Sequence, residues 1–182
     1  MIDGLVLVTG GSGSGKSAFA EGLAVKAKNG QKTCGMYYIA AMKPCGAEGE
    51  SRIVRHRKQR AGKGFETVEC YSVREAGQSR LICDTNDSPR VCLLECLSNL
   101  AANEIFDEKN MNAADDILDF IIKLKESCAA LIVVTNEIFS DGVLYGEQTV
   151  NYIKILGELN RRLAERADSV FEVVCGIPVR IK

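Results

Sequence analysis

From Gly10 to Ser17 the chain reads GGSGSGKS, which fits GxxxxGK[ST] with Gly10, Gly15, Lys16 and Ser17 at the fixed positions. Glycines without a Cβ let a backbone wrap closely around a phosphate, and the N–H groups of Gly10, Gly11, Ser12, Gly13, Ser14 and Gly15 can then turn inward on the anion. The run follows an apolar strand, LVLVT, and opens a helix, so the positive end of a helix dipole faces the same point. In that setting Lys16 is expected to reach the β and γ phosphates of ATP or GTP. Ser17 is expected to ligate magnesium, which prefers oxygen ligands and bridges nucleotide phosphates.

A magnesium site of this type also needs an acidic residue at the carboxyl end of a neighbouring strand. CLLE supplies Glu95 and IVVTNE supplies Glu137; Glu95 is the favoured ligand, with Glu137 the alternative. The only histidine, His56, sits four residues from both Arg52 and Arg60, so one helical face would present an imidazole between two guanidinium groups. Arginine forks bind phosphoryl oxygens, and nearby positive charge favours a neutral imidazole whose free nitrogen can attack phosphorus. The segment Glu48 to Arg60 carries only Ile53 and Val54 as sizeable apolar residues against Arg52, Arg55, Arg57, Lys58 and Arg60. Core packing does not account for such a helix.

The elements that must position these residues read as α/β. Apolar runs of four to eight residues alternate with helix-period segments, as in a mostly parallel sheet with helices on both faces. Strands are expected at Leu5–Thr9, Met36–Ala40, Val91–Glu95, Leu131–Asn136, Val170–Cys175 and Val179–Lys182. The last two should close the chain as an antiparallel hairpin, with Gly176, Ile177 and Pro178 between them. The first helix should begin at Lys16 and turn Phe19, Ala20, Leu23 and Ala27 to the core; Ala114 to Leu124 and Val150 to Leu163 repeat at three and four residues, as sheet-covering helices do.

The whole chain, 182 residues, suits one domain spanning 1–182, and its formal charge of −1 provides no global positive field for nucleic acid. No apolar run approaches the length that spans a bilayer, and the N-terminus starts on a strand instead of an export signal, so a cytoplasmic location without a membrane partner is expected. The eight cysteines form no CxxC pair; Cys92 and Cys175 lie in apolar segments and are expected to be reduced and buried.

Taken in order, VTGGSGSGKSAFAE, YYIAA, RIVRHRKQR, FETVEC, LLECLSNLAANEIF, VTNE, GELNRRLAERAD and VVCGIPVRIK resemble the bifunctional adenosylcobinamide kinase and adenosylcobinamide-phosphate guanylyltransferase family of cobalamin biosynthesis. The resemblance spans nearly the whole chain. It implies a RecA-like P-loop NTPase fold, a homotrimer, and two reactions: phosphorylation of the aminopropanol hydroxyl of adenosylcobinamide, then guanylylation of the resulting phosphate. The family's histidine falls on His56, which would attack the α-phosphate of GTP and hold GMP as a phosphoramidate. By the same resemblance Asn136, Glu137 and Glu69 join the site. The chain departs from the family pattern at Gly13, Phe65, Tyr145, Ile153, Lys154 and Arg161. Those departures leave two other readings open, a P-loop kinase of another small alcohol and a nucleotide-binding regulatory protein without acceptor chemistry.

Overall fold

The computed structural model describes residues 2–30, 35–77, 90–140 and 142–182. Among the described residues seven strands form one sheet: β1 (Gly4–Thr9), β2 (Met36–Ala40), β3 (Glu66–Glu69), β4 (Arg90–Glu95), β5 (Cys128–Val134), β6 (Ser169–Val174) and β7 (Ile177–Arg180). Their order across the sheet is β3-β2-β4-β5-β1-β6-β7. Every neighbouring pair is parallel except β6 and β7. The helices are α1 (Lys16–Asn29), α2 (Gly46–Arg60), α3 (Val73–Gly77), α4 (Leu97–Ala102), α5 (Ala113–Glu126) and α6 (Glu147–Arg166), and a π-helical turn at Asn103–Asp107 follows α4.

Strand alternation divides the apolar residues between two cores. Leu5, Leu7, Ile39, Cys92, Leu94, Leu131 and Val133 pack with Leu97, Leu100, Ile117, Ile121, Leu124, Leu156 and Leu159 from α4, α5 and α6. On the other face Val6, Val8, Tyr38, Val91, Leu93, Ile132 and Val134 pack with Ala20, Leu23, Ala24 and Ala27 of α1. Strands buried on both faces must be apolar throughout, which is why β4 and β5 read as unbroken runs and not as alternating ones. Phe19 is half-buried and meets Phe171 edge-on, 5.2 Å between ring centroids.

The expected strands are all present, with β5 ending at Val134, two residues before its expected limit. β3 is an addition to them: ETVE lies on the sheet edge and is mostly exposed, so it lacks an apolar signature. The closing hairpin forms, but its connection is two residues and not three. Cys175 (φ 51°) and Gly176 (φ 80°) make the turn, and Ile177 and Pro178 already pair with Val174 and Val173. Two consecutive residues with positive φ match the right-handed twist of the flanking strands. Cys175 is therefore exposed, against expectation; Cys70, Cys92 and Cys96 are buried free thiols, and Cys34 and Cys83 lie outside the described residues.

Candidate functional site

The loop between β1 and α1 sits at the carboxyl edge of the sheet. Gly10 has φ 153°, and a Cβ there would stand 2.6 Å from the Val173 carbonyl and 2.7 Å from Ser14 Oγ, so only glycine fits. Gly15 has φ 91° at the entry to α1, and a Cβ on it would press on Gly176 at 3.3 Å. The β6–β7 turn braces the loop from behind, as the Gly176 N–H donates to the Ser14 carbonyl at 2.8 Å. Ser12 and Gly13 form the exposed tip, and Ser14 Oγ is buried without a hydrogen-bond partner among the described residues. Lys16 is buried at the start of the helix, and its Nζ donates to the Gly11 carbonyl at 3.1 Å.

Parallel register sets the acidic groups. Ala40 pairs with Glu95 on one side and Glu69 on the other, so both carboxylates stand on the same row at the carboxyl edge. Glu95 lies two residues beyond Leu93 and so shares the α1 face, where Ser17 Oγ donates to its Oε1 at 2.7 Å. Its other oxygen is buried with no partner among the described residues. Burial pushes the Glu95 carboxyl up to about 7, opposed by the Ser17 hydrogen bond and the charge of Lys16. Burial likewise lowers Lys16, and the Glu95 charge works against that shift. An unpartnered buried carboxylate oxygen beside a serine hydroxyl is a donor set that suits a hard cation completed by phosphate oxygens and water. Glu137 stands elsewhere: its Oε1 accepts from the Phe139 N–H and Ser140 Oγ, both at 2.9 Å, and its own N–H donates to the Gly10 carbonyl at 3.0 Å. Of the two glutamates, only Glu95 bonds to Ser17.

α2 lies over a cavity of about 450 Å³ lined by His56, Arg57, Arg60, Glu69, Tyr71 and Glu95, with Tyr38 at its base. The charged helix is fixed by polar contacts in place of a core. Arg60, 8% exposed, stacks 4.1 Å over the Tyr38 ring and donates from Nε to Thr67 Oγ1 at 3.2 Å. Arg57 pairs with Glu69 at 2.9 Å, and Glu69 also accepts from the Tyr71 hydroxyl at 2.8 Å. Just past α2, Lys63 reaches the fully buried Glu21 of α1 at 2.5 Å. His56 is half-buried, and its Nδ1 has no hydrogen-bond partner among the described residues. Burial first, then the charges of Arg55, Arg60, Lys16 and Arg52, hold the imidazole below its usual range, so it is neutral at neutral pH.

Most of the residues singled out in the sequence thus converge on this edge: the loop, Lys16, Ser17, His56, Arg57, Arg60, Glu69 and Glu95. Arg52 is exposed on α2 and does not line the cavity, although its charge acts on His56. Sequence reasoning missed Tyr38, Tyr71, Thr67, Glu21 and Lys63. For Glu21 a signal existed, since it lies four residues after Ser17 on the same helical face. Tyr38, Thr67 and Tyr71 are brought in by the pairing of β2 with β3, and Lys63 by the turn after α2; neither leaves a mark at short range.

A second cavity, about 480 Å³, lies beside Glu137 between the loop after β5 and the start of α6, and Tyr145 and Ile153, two of the departures noted above, line it. Phe65, another, packs edge-on against Tyr38 at 5.8 Å. Among the described residues no group of three His, Cys, Asp or Glu could hold a metal by itself, and no helix is long and apolar enough to cross a membrane.

Three solved structures share this architecture at low identity. The KaiC-like protein PH0186 of Pyrococcus horikoshii matches with a TM-score of 0.54 at 14% identity, covering 93% of this chain and 70% of that one. The flagellar accessory protein FlaH of Methanocaldococcus jannaschii gives 0.51 at 14%, covering 94% and 72%, and a solved ATPase domain gives 0.51 at 11%, covering 93% and 69%. These likenesses are of the fold, the mostly parallel sheet that here carries the GxxxxGKS loop at its carboxyl edge. Over its full length the chain is similar to the bifunctional adenosylcobalamin biosynthesis protein CobU of Salmonella typhimurium, 32% identical, with 98% of this chain and 99% of the relative aligned. The protein of the same name from Escherichia coli is 31% identical over the same shares. CobP of Pseudomonas aeruginosa is 28% identical over 97% and 96%. The model of the cobinamide kinase / cobinamide phosphate guanyltransferase family matches residues 6–181, and the chain belongs to that family.

Proposed function

We propose that this chain is an adenosylcobinamide kinase and adenosylcobinamide-phosphate guanylyltransferase, both reactions being carried by one domain over residues 1–182. In keeping with the family resemblance, it would act in the cytoplasm as a homotrimer on a small corrinoid, with neither nucleic acid nor membrane as partner. The observation that carries the transferase half is His56: a neutral imidazole with a ring nitrogen that has no hydrogen-bond partner among the described residues, in the same cavity as Arg60 and the Glu95 that holds Ser17.

In the kinase step the backbone amides of Gly10–Gly15 and the Lys16 ammonium hold the β and γ phosphates of ATP or GTP. The acceptor oxygen attacks the γ phosphorus, the bond to the bridging oxygen breaks, the nucleoside diphosphate leaves with that electron pair, and the hydroxyl proton passes to solvent. Positioning and neutralisation of charge suffice for such a transfer. In the second step a His56 ring nitrogen attacks the α phosphorus of GTP, pyrophosphate departs with the electron pair of the broken bond, and the ring loses its remaining proton, leaving a phosphoramidate whose ring is uncharged. The corrinoid phosphate then attacks the same phosphorus, the phosphorus–nitrogen bond breaks, and the imidazole leaves with that electron pair and takes a proton back from solvent. Arg60 and Arg57, on the same cavity, supply guanidinium forks for the phosphoryl oxygens. Ser17 and Glu95 are the residues that fit magnesium, which when bound would neutralise phosphate charge.

Turnover of adenosylcobinamide with GTP by wild type and His56→Asn tests this reading. Wild type is expected to form the phosphate and then the guanylylated product, while the variant stops at the phosphate. Guanylylation by the variant would overturn the covalent route, and absence of any corrinoid product from wild type would overturn the assignment in favour of another acceptor or of a regulatory protein.

A further inference from the structure

The cavity beside Glu137 belongs to no step so far. It is lined chiefly by Glu137, Ile138, Tyr145, Thr149, Tyr152 and Ile153, and none of these lines the His56 cavity. One end is fixed to the phosphate loop, as the Glu137 N–H bonds to the Gly10 carbonyl at 3.0 Å. Its floor is tied to the exit of β4: Tyr152 donates to the Ser98 carbonyl at 3.1 Å, and Asn136 Nδ2 donates to Ser98 Oγ at 2.6 Å. Thr135 Oγ1 joins Asn160 of α6 at 2.8 Å and holds the wall in place.

Exposed apolar residues adjoin the lining in the chain: Tyr145 itself is 40% exposed, Val143 and Leu144 just before it 56% and 100%, Phe139 between Ile138 and Ser140 44%, and Phe106, its ring centroid 5.8 Å from that of Tyr152, adds another 43%-exposed ring. Such a concentration of solvent-facing apolar side chains around a cavity with one carboxylate end marks a ligand surface.

We propose that this cavity seats the alcohol acceptor of the kinase reaction, its hydroxyl end toward Glu137 and the phosphate loop and its apolar body over Tyr145, Ile153 and the exposed rim. The inference rests on the kinase reading given above. Nucleotide held by the loop and drawn toward Arg60 and His56 occupies the α1 face of the sheet edge. An acceptor must then reach the γ phosphate from another side, and the cavity welded to Gly10 through Glu137 provides one. The occupant is thus a hydroxyl-bearing molecule with a broad apolar surface, and once phosphorylated it must relocate to the His56 cavity to be guanylylated.

Ile153→Glu, inside the cavity, and Leu144→Asp, on the fully exposed rim where folding is not at stake, test the seat with adenosylcobinamide as probe. Both variants are expected to retain label from α-labelled GTP as wild type does, since that step needs no acceptor. The KM for adenosylcobinamide in the kinase reaction is expected to rise about 10- to 100-fold for Ile153→Glu and several-fold for Leu144→Asp, with kcat little changed. An unchanged KM in both variants overturns the seat and leaves the kinase reading standing. A change in oligomer mass with unchanged KM also overturns it, and assigns the rim to contacts between copies. If wild type phosphorylates no cobinamide, the kinase reading falls and the seat with it.

Discussion

Glu95 should make the protein's stability depend on pH in a direction opposite to that of most carboxylates. Its folded value is about 7 against an ordinary 4.5, so between those limits the folded state holds a proton that the unfolded state has released. Stability therefore falls as pH rises through that window. Between pH 5 and pH 8 the linkage amounts to about 2.5 kcal/mol, equivalent to ~5–10 °C in melting temperature for a chain of this size. Glu95→Gln keeps an acceptor for Ser17 Oγ and removes the titration, so the difference between the melting curves of wild type and variant isolates Glu95 together with the groups its charge acts on, Lys16 among them. The gap should change progressively in the variant's favour from pH 5 to pH 8. With magnesium and GTP present, wild type should gain more stability than the variant, because a cation beside the carboxylate favours its charged form. A gap that stays constant from pH 5 to pH 8 would refute the burial of Glu95 as the cause.

His56, the only histidine, can be followed alone by proton NMR. Its midpoint is expected below 6.5, moving up in Arg60→Ala as a neighbouring charge and some burial are lost; because the folded value is depressed, its contribution to stability is present above 6.5 and lost as pH falls. Lys16→Ala should lower kcat/KM of the kinase step by about 100-fold or more, since a buried charge on the phosphates is removed; a loss under tenfold would deny Lys16 that role. Gly10→Ala should destabilise the fold by about 1–3 kcal/mol in urea titration and weaken nucleotide binding, because its Cβ would meet the Val173 carbonyl at 2.6 Å. Leu156→Ala, fully buried under the sheet, should cost about 2–5 kcal/mol while leaving the nucleotide affinity of the folded protein unchanged.

How much of this is legible in the sequence follows from the range of the interactions involved. The loop between β1 and α1 is a local device, six backbone units and a lysine in a row, and GGSGSGKS discloses its place between strand and helix. Strands buried on both faces disclose themselves as apolar runs, whereas β3, exposed on the edge, does not. A charge ending an apolar run marks Glu95 as facing something other than the core, and the register of β4 beside β2 explains what it faces. The hairpin turn differs from expectation by one residue because Cys175 takes a positive φ that a cysteine rarely adopts. The basic helix presents Arg57 as a phosphate ligand, and its pairing with Glu69 across twelve residues of sequence is invisible there. The second cavity is marked in the sequence only through the resemblance, which singles out Glu137, Tyr145 and Ile153 separately; that they meet follows from the exit of β5 folding against α6.

The most direct measurement of the central claim uses GTP labelled in turn at the α and γ positions, incubated with the protein and magnesium, followed by acid and alkali treatment and peptide mapping. Retention of the α label alone, alkali-stable, acid-labile and confined to the peptide containing His56, is the expected result. Retention of the γ label, or of α label on any other residue, would contradict it.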